Sequence, residues 1–358
     1  MAHDRAITKR TLSALWRNND IPVLVTRGKK YAIMSDIHLG DGGGADDFRH
    51  NAKTLITALR HYNKNGYNLI LLGDIEEFWQ FDLKEIVTQY TRTVYKAIRA
   101  FGDERVYRVF GNHDLQWRSL RDPIRKNPAR YNCATEAIKM KDKEGRIQML
   151  LVHGHQGDTG VDKHIWSNSF LGRLYRKIEP YYKIDRPTSA TYSQITKNYE
   201  RIMYTWAKSA KTILICGHTH RAIFASKSYT ERLREHIAEL ESEIATHPSD
   251  AKLVQRNRTK IVELRREESK EKRRKRDIDP TDPHGKPLPC YFNAGCALYT
   301  DGITIIEITH DKIMLVKWHR DSTKRHPFDI YGRGTLSACV SKITDNADSR
   351  RKKMRERL

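Results

Sequence analysis

The chain has 358 residues, of which 38% are hydrophobic and 31% charged, and its net charge is +22. This length suits one large domain with additions, or two domains, and the basic excess favours phosphate-rich partners. Five cysteines without a Cys-x-x-Cys pair argue against a disulfide framework or a structural zinc knuckle, and no apolar run approaches the span of a membrane helix.

Residues 1–30 read as an N-terminal extension without the apolar core of a signal peptide. The expectation is a cytoplasmic protein with no integral membrane association. From residue 31 onward short apolar runs recur: YAIMSD (31–36), YNLILLGD (67–74), VYRVFGNHD (106–114), IQMLLVHGH (147–155) and TILICGHTH (212–220). Their length and Ile/Leu/Val content suit buried strands. Stretches 46–66 and 82–102 between the first three have helical character, and Gly66 is a candidate C-cap. Alternating strands and helices predict an α/β fold, whose sites form beyond the carboxyl ends of the strands.

Segment 159–206, rich in Trp, Tyr, Arg and Lys, reads as a cap-like helical segment, mostly core with a few residues lining a cleft. Ser228 and Glu231 then fit a capping box, followed by Leu233, Ile237, Leu240 and Ile244 at the spacing of a narrow helical stripe. THPSD breaks the pattern, and a second helix carries Val254, Ile261 and Leu264. Residues 227–290 are therefore expected to form a charged helical hairpin inserted in the core domain, itself spanning 31–226 and 291–340. Over 227–277, 15 Lys and Arg face 11 Asp and Glu, so the basic excess is not concentrated there. ITIIEI and KIMLVKW, joined by THD, predict an antiparallel pair and a mixed sheet system. Residues 341–358 are expected to be a mobile basic tail.

The strand-end residues are Asp36, His38, Asp74, Asn112, His113, Asp114, His153, His155, His218 and His220. They supply carboxylate, amide and imidazole but no thiolate. This chemistry suits Mn, Fe or Zn, with Ni and Co as further candidates, and not a copper–thiolate or iron–sulfur centre. Two such ions close together can clamp a phosphoryl group. Each short motif is weak by itself; five in order, each ending an apolar run, are strong.

SDIHLG, LLGDIEEFW, VFGNHD, LLVHGH and CGHTHR resemble the five blocks of the calcineurin-like metallophosphoesterases, and NAGCAL (293–298) resembles their closing strand block. SDIHLG and GDIEEFW, with Phe78 and Trp79, are most similar to the branch containing UDP-2,3-diacylglucosamine pyrophosphatases. That branch tends to carry arginine where His113 stands and a His-Gly-Asp block where this chain has His153-Gly154-His155. The resemblance implies a four-layer α-β-β-α sandwich around two divalent metal ions, with Mn preferred. Asp36, His38 and His220 would hold one ion, Asn112, His153 and His218 the other, and Asp74 would bridge them. A metal-bound hydroxide would attack phosphorus, His113 would stabilise the phosphoryl oxygens or protonate the leaving oxygen, and Asp114 would orient His113. Glu77 is expected to support the site rather than bind metal, and Asp158 and Asp162 to be loop carboxylates. His155 and Arg221 are candidate substrate contacts.

These features predict a phosphodiesterase or pyrophosphatase acting on a nucleotide-like substrate. The alternatives are a nuclease acting on DNA or RNA, and a partner-recruiting protein whose site works only in a complex. A homo-oligomer or protein partner is expected to use residues 227–290.

Overall fold

A computed structural model describes residues 4–118, 134–157, 193–273, 287–320 and 327–355. Asp158, Asp162 and most of the cap-like segment lie outside these residues, as does the end of the basic run at 270–276.

Two sheets form the centre. The first has six strands. Three are parallel: β2 (Lys30–Met34), β3 (Asn68–Leu72) and β4 (Val106–Val109). On the other edge of β2 follow β11 (Gly302–Thr309), β12 (Lys312–His319) and β13 (Phe328–Thr335), all antiparallel. The second sheet has seven strands. Its core is β5 (Ala137–Lys141), β6 (Ile147–Val152), β7 (Ile213–Cys216) and β10 (Tyr291–Ala294). The edges are β1 (Val23–Val25) on one side and β8 (Ala222–Phe224) with β9 (Lys227–Ser228) on the other. The expected antiparallel pair at 302–319 forms in register from Gly302 opposite His319 to Thr309 opposite Lys312.

Strand periodicity explains the layering. Successive side chains in a strand point to opposite faces. Tyr31, Ile33, Ile70 and Leu72 therefore join the core shared with the second sheet, whereas Ala32, Met34, Leu69 and Leu71 join a separate core. That outer core is completed by α2 (Ala52–Lys64), α3 (Leu83–Tyr90) and α4 (Val94–Arg99), through residues such as Leu55, Leu59, Ile86 and Ile98. On the second sheet, α1 (Arg5–Arg17) contributes Leu12 and Leu15, and α5 (Ser193–Ala210) contributes Tyr199, Met203 and Trp206. The result is the expected α-β-β-α sandwich with mixed sheets.

Both terminal segments carry a helix. The segment read as an N-terminal extension holds α1, capped by Asp4 Oδ1 accepting from the Ala6 and Ile7 amides at 2.8 and 3.0 Å. Its Leu12 is fully buried, so the segment belongs to the core. At the other end, α8 (Leu336–Arg355) starts with buried Leu336, Cys339 and Ile343, which pack on the same core. Those three residues lie at i, i+3 and i+7, one helical face, hidden in a mostly polar stretch.

The insertion contains α6 (Tyr229–Thr246) and α7 (Ala251–Arg273). Its capping box is present: Ser228 Oγ accepts from the Glu231 amide at 3.2 Å, and Glu231 Oε2 accepts from the Ser228 amide at 2.6 Å. Leu233, Ile237 and Leu240 meet Ile261 and Leu264 in a small core of their own. At the hairpin base, Tyr229 stacks on Tyr331 of β13 with ring centroids 3.8 Å apart. Among the described residues no helix is long and apolar enough to cross a membrane.

Candidate metal centre

The carboxyl ends of β2, β3 and β4 in one sheet face those of β6 and β7 in the other, and the chemistry collects where they meet. Among the described residues, non-glycine positions with positive φ include Asp36 (52°), His38 (53°), Asp74 (53°), His218 (68°) and His220 (55°). Such backbone is costly for L-residues and persists only where surrounding structure enforces it, most often at functional sites. Here the chain turns back directly after each strand so that neighbouring ligand candidates point into one space.

The glycines before these residues permit close approach. A Cβ at Gly111 would fall on the Asp74 carboxylate, and one at Gly217 would fall on Ser35 Oγ and the Asp36 carboxylate. The backbone also holds the acids directly. Asp36 Oδ2 accepts from the His218 amide at 2.8 Å, and Asp74 Oδ1 accepts from the His113 amide at 2.8 Å. Asn293, from the NAGCAL block, donates to the Gly217 carbonyl at 2.7 Å and so supports the CGHTH turn.

Three groups of side chains result: Asp36, His38 and His220; Asp74, His153 and His218; and His38, Glu77 and His113, which shares His38 with the first. In the first, His220 Nε2 lies 3.2 Å from both His38 Nε2 and Asp36 Oδ1. In the second, His153 Nε2 lies 3.0 Å from Asp74 Oδ2. The same Asp74 oxygen is 3.9 Å from His38 Nε2, so Asp74 stands between the first two groups. His153 Nδ1 donates to the Leu72 carbonyl at 2.9 Å, which leaves Nε2 turned toward the acids.

Electrostatics follow from the crowding. Burial opposes the charge of Asp36, but His153 and His220 outweigh it and hold the carboxyl well below its usual range. Burial likewise opposes the charge of Asp74, and His153 and His113 overcome it. Burial disfavours the charged form of His153, yet Asp74 and Asp36 lift its pKa to about 9. His218 is driven the other way, well below the usual imidazole value, first by burial and then by the charge of His153.

The donor set fits divalent metal ions. Among the described residues, Asn112 Oδ1 and His218 Nε2 are buried without a hydrogen-bond partner, and His153 Nε2 meets only the Asp74 carboxylate. Leaving such atoms unsatisfied is costly, and a cation accepting their lone pairs removes that cost. Residues 29–222, more than half of the chain, match the family model of calcineurin-like phosphoesterases. The chain belongs to that family. No curated protein matches it. As a calcineurin-like phosphoesterase it is a metal-dependent phosphoester hydrolase, and its Asp and His clusters are the candidate places for divalent ions.

Around these clusters the neighbouring side chains of this phosphoesterase take definite partners. Asp114 does not hold the His113 ring. Its carboxylate accepts from the Gly111 amide at 2.6 Å and the Ile75 amide at 2.9 Å, and lies 3.5 Å from Arg108. The side chain turns back three residues to brace the loop carrying Asn112. The partner of His113 is Glu77, whose Oε1 lies 2.8 Å from His113 Nδ1. Glu77 Oε2 also lies 2.8 Å from His38 Nδ1. Burial opposes the charge of Glu77, but His113 and His38 outweigh it and bring its pKa down to about 2.

Arg221, expected at the substrate, is ion-paired with the buried Glu200 of α5. It lines a cavity at the hairpin base with Ser228, Tyr229 and Tyr299, apart from the ligand candidates. His155 is only 9% exposed, packed between His153 and Phe110, and burial with the nearby His153 charge brings its pKa down to about 3.

Three supports were not visible in the sequence. Glu200 accepts from Thr219 Oγ1 at 2.9 Å as well as pairing with Arg221, so it anchors the CGHTHR turn from a distant helix. Buried Glu76 pairs with Arg108 and accepts from Trp117 Nε1 and Tyr95 at 2.9 Å each. Tyr299 donates to the His220 carbonyl at 2.5 Å. Only Glu77, the last residue of GDIEE, carried a local hint of a supporting role.

Proposed function

We propose that this phosphoesterase hydrolyses a phosphodiester or pyrophosphate bond in a nucleotide-like substrate, using two divalent ions, with Mn preferred. Asp36, His38 and His220 would hold one ion, Asn112, His153 and His218 the other. The observation that carries the reading is Asp74 Oδ2, placed 3.0 Å from His153 Nε2 and 3.9 Å from His38 Nε2. An oxygen between two ligand groups is what a bridging carboxylate requires. When bound, the ions would polarise the phosphoryl oxygens and make water a nucleophile at neutral pH.

The chain's own residues supply the rest. Glu77 accepts from His113 Nδ1–H, so Nε2 is the ring nitrogen left to exchange a proton with the substrate, and the ring that donates from Nε2 is the imidazolium, with a proton on each nitrogen. As the bond from phosphorus to the leaving oxygen breaks, its electron pair stays on oxygen, which takes the proton from His113 Nε2. The pyrophosphatase-like form of SDIHLG and GDIEEFW supports a diester or anhydride over a monoester, and the net charge of +22 supports an anionic substrate.

Purified protein supplied with Mn, Ni, Co or Zn is expected to hydrolyse bis(p-nitrophenyl) phosphate in preference to the monoester. Asp74→Asn is expected to abolish turnover. Nucleotides, UDP-sugar conjugates and short DNA and RNA then define the substrate. No hydrolysis of either aryl ester with any of the metals would overturn the reading, and an active Asp74→Asn variant would overturn the bridging assignment.

A further inference from the structure

Trp79 is not among the candidate ligands or proton donors, yet among the described residues its ring lies closest to the proposed acid. Its indole lies over the His113 imidazole with centroids 3.7 Å apart and planes at 25°. Its Nε1–H donates to the carbonyl of Asn112 at 3.0 Å. Its amide donates to Glu77 Oε1 at 3.2 Å, the same oxygen that meets His113 Nδ1. One residue thus grips the backbone before His113, the plane of its ring and the carboxylate that receives its Nδ1–H.

We propose that Trp79 is a positioning residue for His113; this inference rests on the phosphoesterase reading above. The χ2 torsion of histidine is broad, so a ring held by one hydrogen bond can rock about that bond. The indole closes one face of the imidazole. His38 closes an edge, with centroids 4.7 Å apart and planes at 84°. Glu77 occupies Nδ1. The remaining polar atom, Nε2, has no hydrogen-bond partner among the described residues, and the side chain keeps 15% of its surface exposed. Trp79 thereby sets the direction in which Nε2 can deliver a proton. Misdirection by about 1 Å is enough to cost a large factor in rate.

The test uses aryl phosphodiesters with a good leaving group, p-nitrophenol, and a poor one, phenol, on the metal-loaded protein. Trp79→Ala is expected to lower kcat on the order of tenfold or more for phenol and less for p-nitrophenol, with KM and metal content unchanged. Trp79→Phe keeps a ring over His113 and is expected to recover most of the rate. A double variant with His113→Ala is expected to be no slower than His113→Ala alone, because both changes remove one function.

A second readout does not need turnover. In metal-free protein the indole ring current should displace the imidazole C–H resonances of His113, assigned by their loss in His113→Ala, and Trp79→Ala should release them. Equal slowing for both leaving groups, multiplicative effects in the double variant, or unmoved His113 resonances would overturn the role of Trp79. Wild-type protein inactive on every diester would instead overturn the phosphoesterase reading itself.

Discussion

The imidazole of His113 meets the Glu77 carboxylate at 2.8 Å through Nδ1. Glu77 is ionised at neutral pH, its pKa brought down to about 2 by His113 and His38 against the effect of burial. A carboxylate accepts only, so the tautomer of His113 is fixed with Nε2 as the working atom. Glu77→Gln is nearly isosteric but removes the carboxylate charge beside both histidines. It is expected to lower kcat/KM by about 10- to 100-fold and to weaken metal retention through His38. Steady-state kinetics beside metal analysis check this, and a fully active Glu77→Gln would refute the role.

Asp114 is expected to matter for stability. It satisfies two buried amides, Gly111 and Ile75, and stands 3.5 Å from Arg108. Asp114→Ala leaves both amides without an acceptor and weakens the compensation of a buried guanidinium. The expected loss is about 3 kcal/mol, read from urea denaturation. His113→Ala, which empties a partly exposed position, is expected to change stability far less. Equal costs for the two variants would contradict this division of roles.

The strands and ligand candidates were legible because their signals are local: an apolar run of fixed length, then a glycine and one or two polar residues. The partner of His113 was misread because chain neighbours are poor guides to side-chain direction. Asp114 follows His113 in sequence but folds back on Gly111, whereas Glu77 arrives from the loop after β3, brought alongside by the parallel β3–β4 pairing. The same limit hid Glu200, on a helix about 20 residues before its partners. The helix at 336–355 was hidden differently, by three apolar residues too sparse to outweigh the charges beyond them.

His155 sets a pH dependence. Its pKa is brought down from the ordinary 6.5 to about 3, first by burial and then by His153. The folded state therefore binds fewer protons than the unfolded state between these values. Stability from this group is complete above pH 6.5 and declines as pH falls toward 3. His155→Leu removes the linkage. With metal chelated, the variant should gain on wild type by at most about 1.4 kcal/mol per pH unit below the ordinary imidazole value. Urea denaturation at pH near 7 and near 5 gives the comparison, and a difference independent of pH would exclude a buried neutral His155.

The hairpin is expected to respond as a unit largely separate from the sandwich. Its seam is short: Leu233, Ile237, Leu240, Ile261 and Leu264, with Arg234–Glu268 at 2.8 Å and Arg265–Glu241 at 2.6 Å crossing between the helices. Both ion pairs are exposed enough to add little. Leu240→Ala should cost about 2 kcal/mol, felt first in α6 and α7. Hydrogen exchange should show faster opening of those helices with β2, β3, β6 and β7 unchanged. Hydrolysis of a small aryl diester should persist, because the ligand candidates do not touch the seam. Loss of protection across both sheets would show that the hairpin is part of the sandwich's cooperative unit.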